Sequence, residues 1–292
     1  MNLLLPFCVN LVPYTDPEKL RRQEIAAQSI DSIRENFLLP INACLSDEVI
    51  EREGWITSSA LQWVTSPGTV PKKLPLVRDL FDQASAVAEI HGCEWFAVAN
   101  ADIILTNEWK SRVKKLLQGE EEIFIFARTD LDRDSEGTLN QNPKLFHRGQ
   151  DLYLCRVKTW EKIRHHFHSY ILGEAYWDNI FTALFLTYAK GYLVLDQLGL
   201  CLHERHSKSW GESQLHRHNL FLANGPDIIS TLRWKYFHLG LLLRAEDAGR
   251  SLDEQELRKL IQDMFVEPMP EELDFSKKMQ LRFEKMGLKE LE

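Results

Sequence analysis

Several motifs that would place this sequence in a familiar class are missing. It has no G-x-G-x-x-G after its first apolar segment, no G-x-x-x-x-G-K-[ST] and no H-E-x-x-H. These absences disfavour a dinucleotide-binding Rossmann enzyme, a P-loop nucleotidase and an H-E-x-x-H metalloprotease. If this chain binds phosphate, it must do so in another way.

Long basic runs and long apolar runs are also lacking. The net charge is -8, with no extended run of Lys and Arg, which argues against a nucleic-acid partner. No segment has the apolar length of a membrane span, so we expect no integral membrane segment. The apolar start "MNLLLPFCVNLVPY" has no basic leader and is interrupted by Pro6 and Pro13, so it predicts a first strand rather than a signal peptide. We expect a soluble, cytoplasmic protein.

Cysteine is sparse, and the spacing of the cysteines shows no pairing motif. The five cysteines include no C-x-x-C pair, and each lies among apolar neighbours. This usage is typical of small buried side chains in a reducing compartment.

What is present is an alternation of strand and helix patterns. After the first strand, Thr15 or Asp16 can cap a helix with Pro17 in its first turn. An amphipathic helix over 76–91, stopped by Gly92, leads into the near-continuous apolar strand "CEWFAVANADIIL". This order predicts an α/β fold with a mostly parallel central sheet flanked by helices.

The chain is predicted to have two parts. Strand signals stop near Asn224, which predicts one domain over 1–224 and a helical C-terminal extension over 225–292. Within the first part, the polar segment "TDLDRDSEGTLNQNPKLFHRGQ" is rich in turn-forming residues and predicts a surface loop.

Two polar side chains follow the central apolar strand. Asn100 and Asp102 are separated by one alanine and project together, because alternate residues of a strand point the same way. In open parallel sheets ligands gather at the carboxyl ends of strands, and a carboxylate there can bind a divalent cation that bridges to a diphosphate. The alternative is that both residues end the strand and cap a helix that begins near Thr106.

Four segments, in this order, resemble motifs of the GT-A fold nucleotide-sugar glycosyltransferases, in particular glycosyltransferase family 2. The segments are "NADI", "FHRGQDLYLCRVKTW", "GEAYWDN" and "CLHERH". In that family an Asp-x-Asp motif lies at the end of a central strand, after a βαβαβ half that binds the nucleotide. The resemblance covers most of residues 1–225 and implies a GT-A-like fold.

The resemblance also implies a metal site and a donor site. Asn100 replaces the first aspartate of the motif, so Asp102 and His203 are the expected ligands of Mn²⁺ or Mg²⁺, with one charge fewer than in the family. A single histidine at a strand end is otherwise a surface or core residue. The remaining residues expected to bind the donor are Asn10, Val12, Arg78, Asp79, Asn100, Asp151, Arg205, His206 and Lys208. Arg205, His206 and Lys208 would neutralise the departing diphosphate.

An acceptor hydroxyl becomes a good nucleophile when a base removes its proton. Asp178, beside Trp177 at the start of a predicted helix, is the expected general base, and Glu174 is its rival. The structural alternative is that Asp178 caps the helix or interacts with its dipole.

The sequence therefore predicts a glycosyltransferase that moves a sugar from a nucleoside-diphosphate sugar, with UDP or GDP as the nucleotide, to the hydroxyl of an unidentified glycan, protein or small molecule. Transfer is expected to be metal-assisted and inverting. One alternative is a nucleotidyltransferase or pyrophosphorylase acting on sugar phosphates, although "NLVPYTDPEK" contains no glycine. The other is a non-catalytic binding module. The sequence leaves self-association open.

Overall fold

The computed structural model describes residues 4–65, 73–141, 150–174, 177–189, 192–195, 199–206 and 219. In this part of the chain the strands are β1 (Leu5–Val9), β2 (Leu38–Ala43), β3 (Ile56–Ser58), β4 (Trp63–Thr65), β5 (Lys73–Pro75), β6 (Trp95–Ala99), β7 (Ile103–Leu105), β8 (Ile123–Ala127), β9 (Thr129–Arg133), β10 (Leu139–Gln141), β11 (Gln150–Arg156), β12 (Tyr192–Leu195) and β13 (Cys201–Glu204). The helices are α1 (Pro17–Ile33), α2 (Val77–Ile90), α3 (Asn107–Leu116), α4 (Val157–Ile163) and α5 (Trp177–Tyr188), and a 3-10 turn spans Arg164–His166.

Among the described residues, seven strands form the central sheet, in the order β12-β8-β11-β6-β1-β2-β3. Only β11 runs antiparallel to its neighbours β6 and β8, and the other pairs are parallel. A second sheet has the order β10-β9-β13-β7, and β4 pairs with β5 in a short ribbon. The predicted α/β class, with a mostly parallel central sheet flanked by helices, is confirmed.

The central sheet is buried on both faces, which explains its near-continuous apolar strands. On one face, Phe7 of β1 packs edge-on against Trp109 of α3, with ring centroids 5.7 Å apart. On the other, Phe96 of β6 packs against Phe81 of α2, whose ring also lies 4.9 Å from that of Trp160. Neighbouring residues of a strand therefore supply two separate cores, one against α1 and α3 and one against α2, α4 and α5.

Local signals place the ends of several helices correctly. The side chain of Asp16 accepts hydrogen bonds from the backbone N–H groups of Glu18 and Lys19, and Pro17 is the first residue of α1. Gly92 follows α2 with φ of +64°, a left-handed conformation that glycine adopts without a steric penalty.

Two sequence predictions about strands were wrong. The segment "CEWFAVANADIIL" is not one strand, because the chain turns after Ala99 and β6 and β7 belong to different sheets. The polar segment predicted as a loop contains β9 and β10, which form a hairpin. β9 also pairs with β13, about seventy residues further along the chain, and local composition does not reveal a pairing over that separation.

The predicted extension 225–292 lies outside the described residues, so its helical character and the boundary at Asn224 remain predictions. Among the described helices, none combines the length and apolar character needed to cross a bilayer.

Candidate functional site

The turn between β6 and β7 carries the two polar residues singled out from the sequence. Asn100 receives a backbone hydrogen bond from Ile103 at 3.3 Å, and its own N–H donates to the carbonyl of Asp151 on β11 at 3.0 Å. The cap of α3 is Thr106, whose hydroxyl accepts from the N–H of Trp109 at 3.3 Å. Asn100 and Asp102 are therefore not the side-chain caps of this helix.

Asp102 meets two histidines from a distant part of the chain. Its Oδ2 lies 3.3 Å from Nε2 of His203 and 3.4 Å from Nε2 of His206. One ligand atom from each of the three side chains lies within 4.8 Å of the other two. His203 is buried, whereas about a third of the side chains of Asp102 and His206 is exposed, so the group can be reached from solvent.

The second ring nitrogen of His203 is also engaged. Its Nδ1 lies 2.8 Å from Oδ1 of Asp130, a buried residue that is its direct neighbour across the parallel pair of β9 and β13. Burial alone would lower the pKa of His203, but the hydrogen bonds to Asp102 and Asp130 outweigh it and raise the pKa to about 9. In the metal-free chain this imidazole therefore carries a proton at neutral pH.

The pKa of Asp102 lies well below its ordinary value. Burial opposes this shift, but the hydrogen bonds with His203 and His206 are stronger in sum, and the positive charge of Arg128 adds to them. The carboxylate is therefore ionised at neutral pH.

A second set of contacts joins the same site to the centre of the sheet. Asp151 accepts a hydrogen bond from Nδ2 of Asn100 at 2.6 Å and one from Nη1 of Arg128 at 2.7 Å. The Nε of Arg128 donates to Asp130 at 3.0 Å. Burial would lower the pKa of Arg128, but three surrounding carboxylates, Asp151, Asp130 and Asp102, raise it. Arg128 thus links the two buried aspartates.

The donor atoms around Asp102 suit a divalent cation. A carboxylate oxygen and two imidazole nitrogens are common ligands of such ions, and a metal-bound histidine typically gives its other ring nitrogen to a carboxylate, as His203 does with Asp130. An ion at Asp102, His203 and His206 would displace the proton of His203, because imidazole binds metal in its neutral form. The residues present therefore fit the predicted metal.

The loop after β1, which contains Asn10 and Val12, is fixed by side-chain amides. Asn10 donates from Nδ2 to the carbonyl of Ala43 at 2.8 Å. The backbone of Val12 forms two hydrogen bonds with the side chain of Gln23 in α1: its N–H donates to Oε1 at 2.8 Å, and its carbonyl accepts from Nε2 at 3.0 Å. Tyr14 at the end of the loop is partly exposed, and its pKa is raised by burial and then by the negative charge of Asp102.

Arg78 and Asp79 lie in the first turn of α2. Nη1 of Arg78 donates to the carbonyl of Phe167 at 3.3 Å, and Oδ2 of Asp79 accepts from the backbone N–H of Gln62 at 2.8 Å. These contacts hold the segments that contain Phe167 and Gln62 against the start of α2.

Of the two described basic residues predicted to neutralise the diphosphate, Arg205 and His206, His206 belongs to the cluster with Asp102. Arg205 donates from Nε to Asp132 at 2.7 Å and joins β9. Lys208 lies outside the described residues.

Of the two candidate bases, Asp178 contacts β11 through its backbone. Asp178 is in the first turn of α5, and its backbone carbonyl accepts from the hydroxyl of Tyr153 at 2.9 Å. Tyr153 is two residues from Asp151 along β11, so α5 begins close to the strand that carries Asp151. Glu174 is buried just before this helix. The assignment of either residue as the base remains a prediction.

Sequence reasoning missed Arg128 and Asp130. Arg128 directly follows the apolar run "EIFIFA", and Asp130 lies at the start of the segment predicted to be a loop. A charged pair directly after a buried strand was the available signal, since Asn100 and Asp102 were found in the same way.

No protein-family model matches the chain, and no curated protein does. Solved structures do match. One is 4-diphosphocytidyl-2C-methyl-D-erythritol synthase from Anaerococcus prevotii, at 11% identity and a TM-score of 0.41, over 76% of this chain and 97% of that one. Another is a glycosyltransferase involved in glycosylation of the major capsid of PBCV-1, at 12% identity and a TM-score of 0.36, over 75% of this chain and 99% of that one. A third is 2-C-methyl-D-erythritol 4-phosphate cytidylyltransferase from Francisella tularensis, at 9% identity and a TM-score of 0.39, over 74% of this chain and 99% of that one.

These names include both a glycosyltransferase and a cytidylyltransferase, so the similarities do not separate the two reactions. The function of this chain has to be inferred from its own residues.

Proposed function

We propose that this protein is a GT-A-like glycosyltransferase that transfers a sugar from a nucleoside-diphosphate sugar to an acceptor hydroxyl with inversion. The observation that carries the proposal is the meeting of Asp102 and His203, 3.3 Å apart, at the end of β6. The two residues are about a hundred positions apart in the chain and were selected from separate motifs.

The donor diphosphate would lie against the exposed side of this cluster. A bound divalent cation would supply positive charge for the phosphate oxygens as negative charge develops on the leaving group. Asp102 and His203 would hold that ion. Arg128, fixed by Asp130 and Asp151, adds a permanent positive charge behind them.

The displacement requires a base on the acceptor side. The acceptor oxygen forms a bond to the anomeric carbon while the bond from that carbon to the diphosphate oxygen breaks, and the nucleoside diphosphate leaves. The acceptor proton passes to the carboxylate of Asp178. This role fits the position of Asp178 at the start of α5, beyond the strand that carries Asp151.

Nucleotide binding is the first test. Thermal melting of the full chain is recorded with UDP, GDP and other nucleoside diphosphates, each with and without Mn²⁺. A specific ligand raises the melting temperature by mass action. We expect a metal-dependent rise with one nucleotide, which Asp102→Asn abolishes and Asp132→Asn retains. Asp132 is the matched control, because it is a partly exposed aspartate paired with Arg205. The absence of a rise with every nucleotide would favour a binding module.

Turnover then separates glycosyl transfer from nucleotidyl transfer. The stabilising nucleotide is supplied as its sugar conjugates, and release of nucleoside diphosphate is measured with water or simple sugars as acceptors. In parallel, the triphosphate and sugar 1-phosphates are supplied, and pyrophosphate is measured. Release of pyrophosphate alone would overturn the proposal in favour of the nucleotidyltransferase.

The assigned base is tested by comparing Asp178→Asn with Glu174→Gln. We expect Asp178→Asn to bind donor normally and to lose about 100-fold or more in transfer, the usual contribution of general base catalysis. Glu174→Gln should retain most activity if its melting temperature is preserved. The reverse result would move the role to Glu174, and equal activity of both variants with wild type would remove the base from the mechanism.

A further inference from the structure

The two histidines at Asp102 make this site chemically different from a site that holds an ion through carboxylates and phosphates alone. We propose that His206 is a third protein ligand, and that the site binds a transition-metal ion of the Mn²⁺, Co²⁺ and Zn²⁺ class in preference to Mg²⁺ and without any nucleotide. The proposal deepens the proposed function by naming the ion and its order of binding, and the metal-binding part does not depend on the reaction.

The spacing of the donor atoms fits a common ion. An ion with bonds of about 2.1 Å holds neighbouring ligand atoms about 3.0 to 3.4 Å apart, depending on its geometry. Oδ2 of Asp102 lies 3.3 Å from Nε2 of His203 and 3.4 Å from Nε2 of His206. The two imidazole rings are tilted by 57° with centroids 5.1 Å apart, and one ligand atom from each of the three residues lies within 4.8 Å of the other two.

The site is also prepared for metal on its buried side. Asp130 holds Nδ1 of His203 at 2.8 Å, which leaves Nε2 as the ligand atom. Arg128 in turn holds Asp130 at 3.0 Å. This arrangement fixes the ring of His203 before any ion arrives, so little ordering is required on binding.

The ligand set selects the kind of ion. Mg²⁺ prefers oxygen ligands and usually combines one or two carboxylates with water and substrate phosphates. Imidazole nitrogens favour the softer first-row ions. A site with two nitrogens and one oxygen therefore discriminates against Mg²⁺. Because three ligands come from the protein, binding does not require the diphosphate to complete the shell.

The exposed part of the site leaves room for further ligands. About a third of the side chains of Asp102 and His206 is accessible to solvent, whereas His203 is buried. In an octahedral ion three positions would remain for water or for phosphate oxygens. The ion would therefore be in place before the donor, which completes its shell from the solvent side.

The test is a titration of the metal-free full chain with Mn²⁺ alone, in which the electron paramagnetic resonance signal of the free aqueous ion is measured. We expect one bound Mn²⁺ per chain in the absence of nucleotide. Zn²⁺ and Co²⁺ should displace it, and a large excess of Mg²⁺ should not. His206→Ala should weaken binding by about 10-fold to 100-fold. His165→Ala is the matched control, because His165 is an exposed histidine in the turn Arg164–His166, and it should bind like wild type.

His206→Gln is measured beside His206→Ala, and the melting temperature of each is recorded, so that a folding defect is recognised. Unchanged affinity in a folded His206 variant would overturn the inference. So would displacement of Mn²⁺ by comparable concentrations of Mg²⁺, or binding that appears only when a nucleoside diphosphate is added. If Mn²⁺ binds as expected but no nucleotide stabilises the chain, the inference stands and the proposed glycosyl transfer fails.

Discussion

Asp102, Asp130 and Asp151 have the same side chain in three different environments. Asp102 is partly exposed and faces two histidines. Asp130 is buried against the second nitrogen of one of them, and Asp151 is buried between Asn100 and Arg128. At the scale of single residues, the neighbours of each carboxylate therefore set its role. Asp102 is the proposed metal ligand, Asp130 orients the ring of His203, and Asp151 fixes the turn after β6.

The contribution of the buried Asp151 to the stability of the fold can be measured with Asp151→Asn. This change removes a charge that Arg128 faces and places an amide against the amide of Asn100, so we expect a loss of about 2 kcal/mol in the free energy of unfolding. Asp132→Asn is the matched control. Its pair with Arg205 is exposed, and its loss should be about 0.5 kcal/mol or less. Urea denaturation of both variants measures the difference, and equal losses would contradict this interpretation.

At the scale of elements, Glu204 joins α1 to the second sheet. It is buried at the end of β13 and accepts hydrogen bonds from Arg21 of α1 and from Arg133 of β9, the latter at 2.7 Å and 3.0 Å. Burial would raise its pKa, but the two guanidinium groups lower it to about 2. The two arginines thus bring a helix and two strands together through one carboxylate.

Replacing Glu204 by Gln should loosen this junction. The two arginines would lose their shared charge partner, and we expect the free energy of unfolding to fall by about 2 kcal/mol. Arg21 also pairs with Glu18, which is 67% exposed, so Glu18→Gln is a control for the same arginine. Its expected loss is about 0.5 kcal/mol or less. Denaturant melts compare the two variants, and a larger effect at Glu18 would show that the buried junction is not the stabilising one.

At the scale of the whole described structure, four of the five cysteines are buried. Cys8, Cys44, Cys155 and Cys201 are buried, and Cys93 after α2 is partly exposed. Burial raises the pKa of the Cys8 thiol to about 12, and it also raises the pKa of Cys155 and Cys201. Thiol chemistry can therefore report on the integrity of the fold.

A thiol reagent at pH 8 should modify Cys93 first. The other four cysteines should react only as fast as the protein opens, because they are buried and the reactive thiolate is disfavoured there. Mass spectrometry of a labelling time course measures the order, and Cys93→Ser should remove the fast phase alone. Rapid labelling of Cys8 in folded protein would contradict the packing of β1 between α2 and α3.

Much of the fold followed from local pattern. Asp16, Pro17 and Gly92 mark helix ends through backbone chemistry that acts within a few residues. The apolar runs of β1, β6 and β8 indicated strands buried on both faces. Asp102 was singled out because it follows an apolar strand, where ligands of an α/β sheet gather. His203 was chosen because "CLHERH" resembles the late histidine motif of the GT-A glycosyltransferases.

Only the tertiary structure decided which of these residues meet. The pairing of β9 with β13 brings Asp130 to His203, and the pairing of β11 with β6 brings Asp151 to Asn100. Both join segments 51 or more residues apart along the chain. The sequence by itself determined the class of fold and the kinds of side chain available for chemistry, because both depend on short-range periodicity. Strand pairing over long separations determined the site, because hydrogen bonds between distant strands leave no local mark in composition.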